Sequence, residues 1–340
     1  MTKPDTLGVQ SVAPILVVEG LRTFLTPDRG GVTIPLVGRF DLSVDPGERW
    51  AIVGESGSGK SIAARSIMCL VDPPLSSTAD RIEIGGLDLT DASRAAWRNV
   101  RGQRIAMILQ DPLTALSPVF TVGNQLVETI RRRPVSVHDA RDRSLDLLRQ
   151  VGIPDPALRL NAYPHELSGG MRQRIAIALA LACEPQVLIA DEPTTALDVT
   201  VQAQILELLV TLSEKTGTAV VMITHDIGIL PEFAHKVAVM YGGRLVETGT
   251  VSQVLNTPLH PYTQALLRAR PGRSSSAERR RLPVIGGAPP DLFRMQRGCP
   301  FAPRCEAALS TCSEIKPERA MIDGRRVACH LVTSSMGTAG

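Results

Sequence analysis

The segment Gly54-Glu55-Ser56-Gly57-Ser58-Gly59-Lys60-Ser61 decides the fold, because it fits the pattern G-x-x-x-x-G-K-[S/T] without a mismatch. An apolar strand pattern, Trp50–Val53, runs into it, and a helical pattern, Ser61–Leu70, follows it. The glycines let backbone N–H groups approach phosphate oxygens, and the helix N-terminus adds the positive end of its dipole. We therefore predict that Lys60 contacts the outer phosphates of a nucleotide and that the Ser61 hydroxyl binds Mg²⁺.

The rest of the sequence predicts an α/β protein. Further apolar strand patterns occur at Arg104–Leu109, Val187–Ala190 and Ala219–Thr224, and helical patterns such as Val201–Leu212 separate them. This alternation predicts a largely parallel sheet with right-handed crossovers. Residues from about 111 to 181 are helical in pattern and form an insertion between two core strands.

Composition sets broad limits on function. The chain has 340 residues, of which 44% are hydrophobic, so a large core is expected. A net charge of +3 is too small to indicate a nucleic-acid partner. No apolar run approaches the ~18 residues of a membrane span, and the N-terminus shows no signal-peptide pattern. We expect a cytosolic chain that reaches a membrane only through partners.

Several polar residues follow the predicted core strands. Asp191 and Glu192 come at the carboxyl end of the strand Val187–Ala190, where parallel sheets bind their ligands. Adjacent strand residues point in opposite directions, so we assign Asp191 to magnesium and Glu192 to the attacking water. His225 follows another strand and is expected to contact the γ-phosphate, and Gln110 to bond water and the magnesium ligands.

The stretch Leu167-Ser168-Gly169-Gly170-Met171 lies between the glycine-rich loop and the acidic strand end. The order and spacing of these motifs resemble the ATP-binding cassette (ABC) family. In the terms of that family they are the Walker A loop 54–61, the Q-loop Gln110, the signature 167–171, the Walker B strand 187–192, the D-loop 195–198 and the switch His225. The resemblance implies a P-loop NTPase with a RecA-like parallel core, an antiparallel β subdomain, a helical subdomain at about 111–181 and a C-terminal Cys-rich extension.

The resemblance also implies roles for single residues. Glu192 is the catalytic base, Gln110 couples the site to the transporter, and His225 senses the γ-phosphate. An aromatic residue stacks on adenine, with Phe24 as the candidate and Phe40 as the alternative. The residues implied in binding ATP are the loop Gly54, Glu55, Ser56, Gly57, Ser58, Gly59, Lys60 and Ser61, together with Gln110 and Asp191 and, for a nucleotide held in the opposite cassette, Ser168, Gly169, Gly170 and Asp198.

More specific motifs narrow the resemblance to the peptide and nickel importers. They are residues 110–118 (QDPLTALSP), 163–166 (YPHE), 194–202 (TTALDVTVQ), 260–263 (HPYT) and 298–305 (GCPFAPRC). This group implies an ATPase that energises import of oligopeptides or dipeptides, with nickel or another solute as the alternative. Its implied partners are a second cassette, identical or paralogous, in a head-to-tail dimer, two membrane permeases and an extracytoplasmic solute-binding protein.

The implied location is the cytoplasmic face of the plasma membrane, with peripheral attachment. A soluble ABC ATPase acting on nucleic acid or ribosomes is disfavoured, because the chain has one cassette and no heptad run. An exporter is disfavoured because no membrane domain is fused to the cassette. The expected division is a flexible N-terminus 1–13, a nucleotide-binding domain 14–256, an extension 257–334 with a linker 271–281, and a flexible tail 335–340.

Six cysteines are present, and Cys69 and Cys183 fall in apolar helical patterns typical of core residues. The other four, Cys299, Cys305, Cys312 and Cys329, are separated by five, six and sixteen residues near the C-terminus. A reducing compartment favours a metal over disulfides. The spacing leaves an iron–sulfur cluster, zinc and unliganded thiols open, and the resemblance to peptide importers implies a [4Fe–4S] cluster on these four residues.

Overall fold

The main sheet is centred on the strand that leads into the glycine-rich loop. The computed structural model describes residues 13–27, 32–195, 197–269, 285–294 and 297–334. Its strands are β1 (Leu16–Leu25), β2 (Ile34–Val44), β3 (Arg49–Val53), β4 (Leu75–Thr78), β5 (Arg81–Ile84), β6 (Leu87–Asp88), β7 (Ile105–Ile108), β8 (Val187–Asp191), β9 (Ala219–Thr224), β10 (Lys236–Tyr241), β11 (Arg244–Thr250), β12 (Ala320–Ile322) and β13 (Arg325–Val327). The eight-stranded main sheet has the order β12-β13-β11-β10-β3-β9-β8-β7, and β10, β3, β9, β8 and β7 run parallel.

A second, antiparallel sheet lies over one face of the main sheet. Its order is β2-β1-β5-β6, and β4 also pairs with β1. Alternation along β3 explains how one strand serves two cores. Trp50 and Ile52 pack toward the antiparallel sheet, whereas Ala51 and Val53 pack toward the helical insertion.

Helices cover the remaining faces. They are α1 (Lys60–Ile67), α2 (Arg94–Val100), α3 (Pro112–Ala115), α4 (Val122–Ile130), α5 (Val137–Gln150), α6 (Pro156–Arg159), α7 (Gly169–Leu181), α8 (Val199–Thr216), α9 (Leu230–Phe233), α10 (Val251–Asn256), α11 (Pro261–Arg268) and α12 (His330–Ser334). The helices α3 to α7 form one group between β7 and β8, where the sequence predicts an insertion. Among the described helices, none combines the length and apolar character needed to cross a membrane.

The predicted elements differ from the observed ones mainly at their ends. The helix after the glycine-rich loop ends at Ile67 rather than Leu70, and α8 extends the predicted Val201–Leu212 in both directions. Asp198 caps the start of α8, and Gly217 ends it in a left-handed conformation with φ of 69°. β10 and β11 form a hairpin that turns at Gly242-Gly243, and both glycines have positive φ.

The C-terminal segment extends the main sheet. β13 pairs antiparallel with β11 through Glu247 and Thr248, and β12 pairs with β13. A buried pair supports this junction, because Arg325 lies 3.7 Å from the Glu247 carboxylate and both side chains are at most 5% exposed. The expected linker 271–281 and the two expected flexible termini, apart from residue 13, lie outside the described residues.

Candidate active site

The glycine-rich loop owes its shape to close backbone approaches. A Cβ on Gly54 would lie 2.2 Å from the carbonyl oxygen of Met240 on β10, so this position takes only glycine. Gly59 precedes α1 with φ of 95°, a conformation that L side chains rarely adopt. The loop therefore sits tightly between β3, β10 and the start of α1, with Ser56 and Gly57 exposed at its tip.

Lys60 is buried inside this loop, with 4% exposure. Its ammonium donates to the carbonyl oxygens of Gly54 at 2.8 Å and Glu55 at 2.9 Å. Burial lowers the pKa of Lys60, and the nearby carboxylates of Glu192 and Asp191 oppose that shift. The carboxylates keep the ammonium protonated, and its two carbonyl partners can be replaced by the oxygens of an anionic ligand that enters the loop.

Ser61 and Asp191 form the side of the site where the sequence predicts Mg²⁺. The Ser61 hydroxyl donates to Oδ1 of Asp191 at 2.8 Å. Oδ2 of Asp191 is buried and has no hydrogen-bond partner among the described residues. Burial raises the pKa of Asp191. An orphaned carboxylate oxygen beside a hydroxyl fits Mg²⁺, which takes one or two protein oxygens together with phosphate oxygens.

The Glu192 carboxylate contacts side chains from three positions after the core strands. Its Oε2 lies 3.3 Å from Nε2 of Gln110, 2.9 Å from Oγ1 of Thr195 and 3.2 Å from Nδ1 of His225. The residue has φ of 46°, in the left-handed region that is strained for a side chain of this size. The structure thus brings together Gln110, Glu192 and His225, and it adds Thr195, which the sequence reasoning did not single out.

These groups surround a cavity of about 490 Å³. Its described lining is Ser56, Gly57, Gly59, Lys60, Ser61, Ile62, Gln110, Glu192, His225 and Leu292. Leu292 comes from a 3₁₀ turn, Leu292–Arg294, more than a hundred residues after the signature. No sequence pattern singled out this leucine, because the short apolar pair Leu292-Phe293 after Pro290-Asp291 carries no motif.

The signature residues lie apart from this cavity. Ser168, Gly169 and Gly170 stand at the start of α7, and none is among the described residues that line the cavity. The Ser168 hydroxyl accepts from the N–H of Met171 at 3.3 Å, and Asp198 caps α8 in the same way. Ser168, Gly169 and Asp198 are exposed, so they remain open to a second molecule.

The two aromatic candidates for adenine stacking differ in burial. Phe40 is 1% exposed and packs in the core between the two sheets, so it cannot stack on a ligand. Phe24 lies in β1, half-buried, opposite Pro35 of β2 and Ser76 of β4. Neither is among the described residues that line the cavity. Stacking of adenine on Phe24 stays a prediction.

The four C-terminal cysteines are neighbours in space. Cys299 donates its backbone N–H to the carbonyl oxygen of Cys312 at 2.7 Å. Burial, with smaller contributions from the nearby Cys312 and Cys329, raises the pKa of Cys299 to about 11. The six cysteines form no disulfide. However, within the described ranges no three His, Cys, Asp or Glu side chains are arranged to hold a metal ion. The closed four-thiol ligand set expected from the sequence is therefore not observed.

Comparison with protein families gives two matches. Residues 37–195 match the family described as "ABC transporter", and residues 246–312 match "Oligopeptide/dipeptide transporter, C-terminal region". The first match covers the glycine-rich loop, the signature and the acidic strand end. The second covers β11 through the 3₁₀ turn that contains Cys312.

Comparison with individual proteins agrees with these two family matches. The chain is 49% identical over 303 residues to the dipeptide transport ATP-binding protein DppD of Escherichia coli (strain K12), covering 88% of this chain and 92% of that protein. It is 47% identical over 320 residues to DppD of Bacillus subtilis (strain 168), covering 93% and 94%. Among solved structures, a dimeric post-hydrolysis state of the ATP-binding cassette MJ0796 bound to ADP and Pi superposes with a TM-score of 0.61, 27% identity, and coverage of 69% of this chain and 98% of that chain.

Proposed function

The chain belongs to the ATP-binding proteins of ABC transporters, and on that premise we propose that its ATPase activity energises the import of oligopeptides or dipeptides. The E. coli and B. subtilis relatives carry dipeptide transport in their names, and each match covers most of both chains. The observation that carries the proposal is the match of residues 246–312 to the C-terminal region of oligopeptide/dipeptide transporters, because these residues lie outside the part that matches the general ABC transporter family.

We assign the hydrolytic roles from the geometry of the cavity. Lys60 would exchange its two carbonyl partners for phosphate oxygens, and the loop glycines leave room for the phosphates. Ser61 and Asp191 would hold Mg²⁺, which neutralises phosphate charge when it is bound. Glu192 would orient the attacking water, since it lines the cavity and its Oε2 lies within 3.3 Å of Gln110 and His225. Gln110 and His225 would contact that water and the γ-phosphate.

A second cassette would complete the site. The exposed Ser168, Gly169 and Asp198 and the half-buried Gly170 lie away from this chain's own cavity, so they are free to contact a nucleotide held by a partner. The superposable cassette MJ0796 is dimeric, which supports the same arrangement here. We propose a head-to-tail dimer with an identical or paralogous cassette, bound peripherally to two permeases at the cytoplasmic face of the membrane. A solute-binding protein on the other side would deliver the peptide.

The variant Glu192→Gln tests this assignment. It preserves the side-chain shape and removes the charge that orients water, so ATP binding should persist while turnover falls by about 10²–10⁴. A closed dimer should accumulate with ATP and be visible by size-exclusion chromatography. Glu207→Gln on α8 is a matched control and should hydrolyse ATP normally. Full ATPase activity in Glu192→Gln would refute the assignment of the base.

Solute identity is tested in the assembled transporter. A peptide importer should show ATPase stimulation by its binding protein loaded with dipeptide or oligopeptide. Stimulation by nickel complexes and not by peptides would favour the nickel alternative. Uptake of radiolabelled dipeptide by cells that carry the wild-type chain, and not by cells that carry Glu192→Gln, links the hydrolysis to transport.

We propose further that Cys299, Cys305, Cys312 and Cys329 take up a [4Fe–4S] cluster, with zinc as the alternative. The proximity of the four residues supports a shared ligand, and thiolates are ligands for both. Burial raises the pKa of the Cys299, Cys305 and Cys329 thiols, so metal binding must release thiol protons. Iron and zinc analysis of protein purified anaerobically, with its visible absorbance, decides between them. Protein with neither metal would overturn both.

A further inference from the structure

An arginine of the C-terminal segment binds directly to the glycine-rich loop 54–61. Arg304 ends the 3₁₀ turn Ala302–Arg304, and its guanidinium forms two bonds to the Glu55 carboxylate, Nη1 to Oε2 at 2.7 Å and Nη2 to Oε1 at 3.0 Å. Glu55 is the second residue of the loop 54–61. The pair therefore joins positions 249 residues apart. A bidentate pair of this kind defines orientation as well as distance.

The arginine is held from several sides. Its side chain is 5% exposed, and its remaining N–H groups donate to the carbonyl oxygens of Gly286 at 2.8 Å and Ile285 at 3.2 Å. Nη1 also donates to the Tyr241 hydroxyl at 3.2 Å, and the guanidinium lies over the Tyr241 ring. Because these partners restrict its rotamer, Arg304 presents a rigid cation to Glu55 rather than a mobile one.

The backbone of Glu55 is held as well. Its N–H donates to the Tyr262 hydroxyl at 2.9 Å, and its carbonyl oxygen accepts from Lys60 at 2.9 Å. Tyr241 and Tyr262 contact each other and Phe301, which lies three residues before Arg304. One cluster, made of Tyr241, Tyr262, Phe301 and Arg304, thus contacts both the side chain and the backbone of the residue that precedes the tip of the loop. We call it the tyrosine–arginine cluster.

We propose that Arg304 is a positioning residue for ATP binding. Through Glu55 it holds the glycine-rich loop in the shape that accepts phosphate. The C-terminal segment therefore sets the nucleotide affinity of the cassette. The proposal rests on the assignment of loop 54–61 as the ATP site. Backbone N–H groups of this loop are the ligands of the phosphates, and a shift of the Glu55 peptide moves them together.

The test measures equilibrium binding of a fluorescent ATP analogue to the full chain. Arg304→Gln should raise the Kd about tenfold, within the usual range for coupling between two sites. Arg304→Lys keeps the charge without the bidentate fork and should fall between wild type and Arg304→Gln. The exchange Glu55→Arg with Arg304→Glu should recover part of the lost affinity. In the assembled transporter, KM for ATP should rise more than kcat falls.

The matched control is Arg268→Gln. Arg268 also pairs with a glutamate of the C-terminal segment, Glu306 at 3.7 Å, but its side chain is 58% exposed. The variant Arg268→Gln should bind ATP with the same Kd as wild type. Wild type and Lys60→Ala together separate this proposal from the proposed function. If the wild-type chain binds no ATP, the proposed function itself is wrong. If wild type binds, Lys60→Ala does not, and Arg304→Gln binds with unchanged Kd, the positioning role is wrong.

A purely structural role is also distinguishable. It would lower the unfolding temperature of Arg304→Gln with no change in Kd, which overturns the proposal. Should Arg304→Gln not fold, Glu55→Gln alone carries the test, because Arg304 then keeps its bonds to Tyr241, Ile285 and Gly286. A positioning pair predicts that Glu55→Gln raises the Kd and, where Arg304→Gln folds, that adding it raises the Kd little more. Independent, additive effects of the two changes would contradict it.

Discussion

The hydroxyl of Thr195 donates a 2.9 Å hydrogen bond to Oε2 of Glu192, the same oxygen that lies 3.2 Å from His225. Thr195 belongs to the loop that leads to Asp198 and α8, on the exposed side expected to meet a second cassette. A movement of that loop therefore acts directly on the carboxylate proposed to orient water.

Removing this hydroxyl should slow hydrolysis without weakening ATP binding. Thr195→Ala leaves Glu192 with one fewer bond to its charged oxygen, a loss of about 1.5–3 kcal/mol for a charged acceptor. We expect kcat to fall roughly tenfold or more. Thr195→Ser keeps the hydroxyl and should retain most activity. Equal activity of the alanine and serine variants in steady-state ATPase assays would show that the bond does not position Glu192.

Lys60→Ala should abolish nucleotide binding and leave the fold intact. The ammonium is buried and burial lowers its pKa, so its removal relieves an unfavourable buried charge. The Kd for ATP should rise by more than about a hundredfold, because the outer phosphates lose a charged donor. Calorimetric titration and thermal unfolding measure both effects. Lys215→Ala, at an exposed position near the end of α8, is the control and should bind ATP normally.

Gly169→Asp should separate ATP binding from hydrolysis. A Cβ at Gly169 meets no other atom within 4 Å, and an acidic residue suits the first turn of α7, so the variant should fold. Its carboxylate would repel a nucleotide brought by the partner cassette. We expect unchanged ATP binding and loss of most ATPase activity, with Gly169→Ala milder. Full hydrolysis by Gly169→Asp would contradict the assignment of this surface to the partner's nucleotide.

His260 should make stability depend on pH. The residue is 1% exposed, its Nδ1 accepts from the N–H of Tyr262 at 3.0 Å, and burial lowers its pKa to about 4. An unfolded histidine titrates near about 6.5. The unfolded chain therefore binds the proton first, and stability, fully present above about pH 6.5, is lost as pH falls toward about 4, by at most about 3 kcal/mol.

His260→Asn tests this pH dependence. Asparagine can still accept from the N–H of Tyr262, and it removes the titration. Urea unfolding should show a flatter pH profile for His260→Asn than for wild type. His138→Asn, at a side chain that is 86% exposed, should keep the wild-type slope. A wild-type slope in His260→Asn would mean that another group titrates in this range.

The strand, loop and helix around Gly54–Ser61 were predictable from the sequence, because they follow one another along the chain. The strand is apolar, the loop is rich in glycine, and the helix begins at Lys60. The turn at Gly242-Gly243 was predictable for the same reason, since two glycines allow positive φ. Gln110, Glu192 and His225 follow strands that lie side by side, so their meeting followed from the parallel order.

Contacts between distant segments were not predictable in this way. Leu292 reaches the cavity and Arg304 reaches Glu55 only because the C-terminal segment folds back over the loop, and no periodic pattern encodes that path. The left-handed conformation of Glu192 was also missed, since glutamate carries no preference for positive φ. Phe40, the alternative adenine partner, lies in the core because alternation along β2 turns it inward.

The pairing of β13 with β11 has a consequence for fragments of this chain. The residues of β12 and β13 cover the open side of β11 at Glu247 and Thr248. A polypeptide that ends before residue 320 would present that strand with unpaired N–H and C=O groups, which readily recruit another chain. Fragments trimmed to the cassette core should therefore self-associate and precipitate, whereas chains that retain residues 320–327 should stay dispersed.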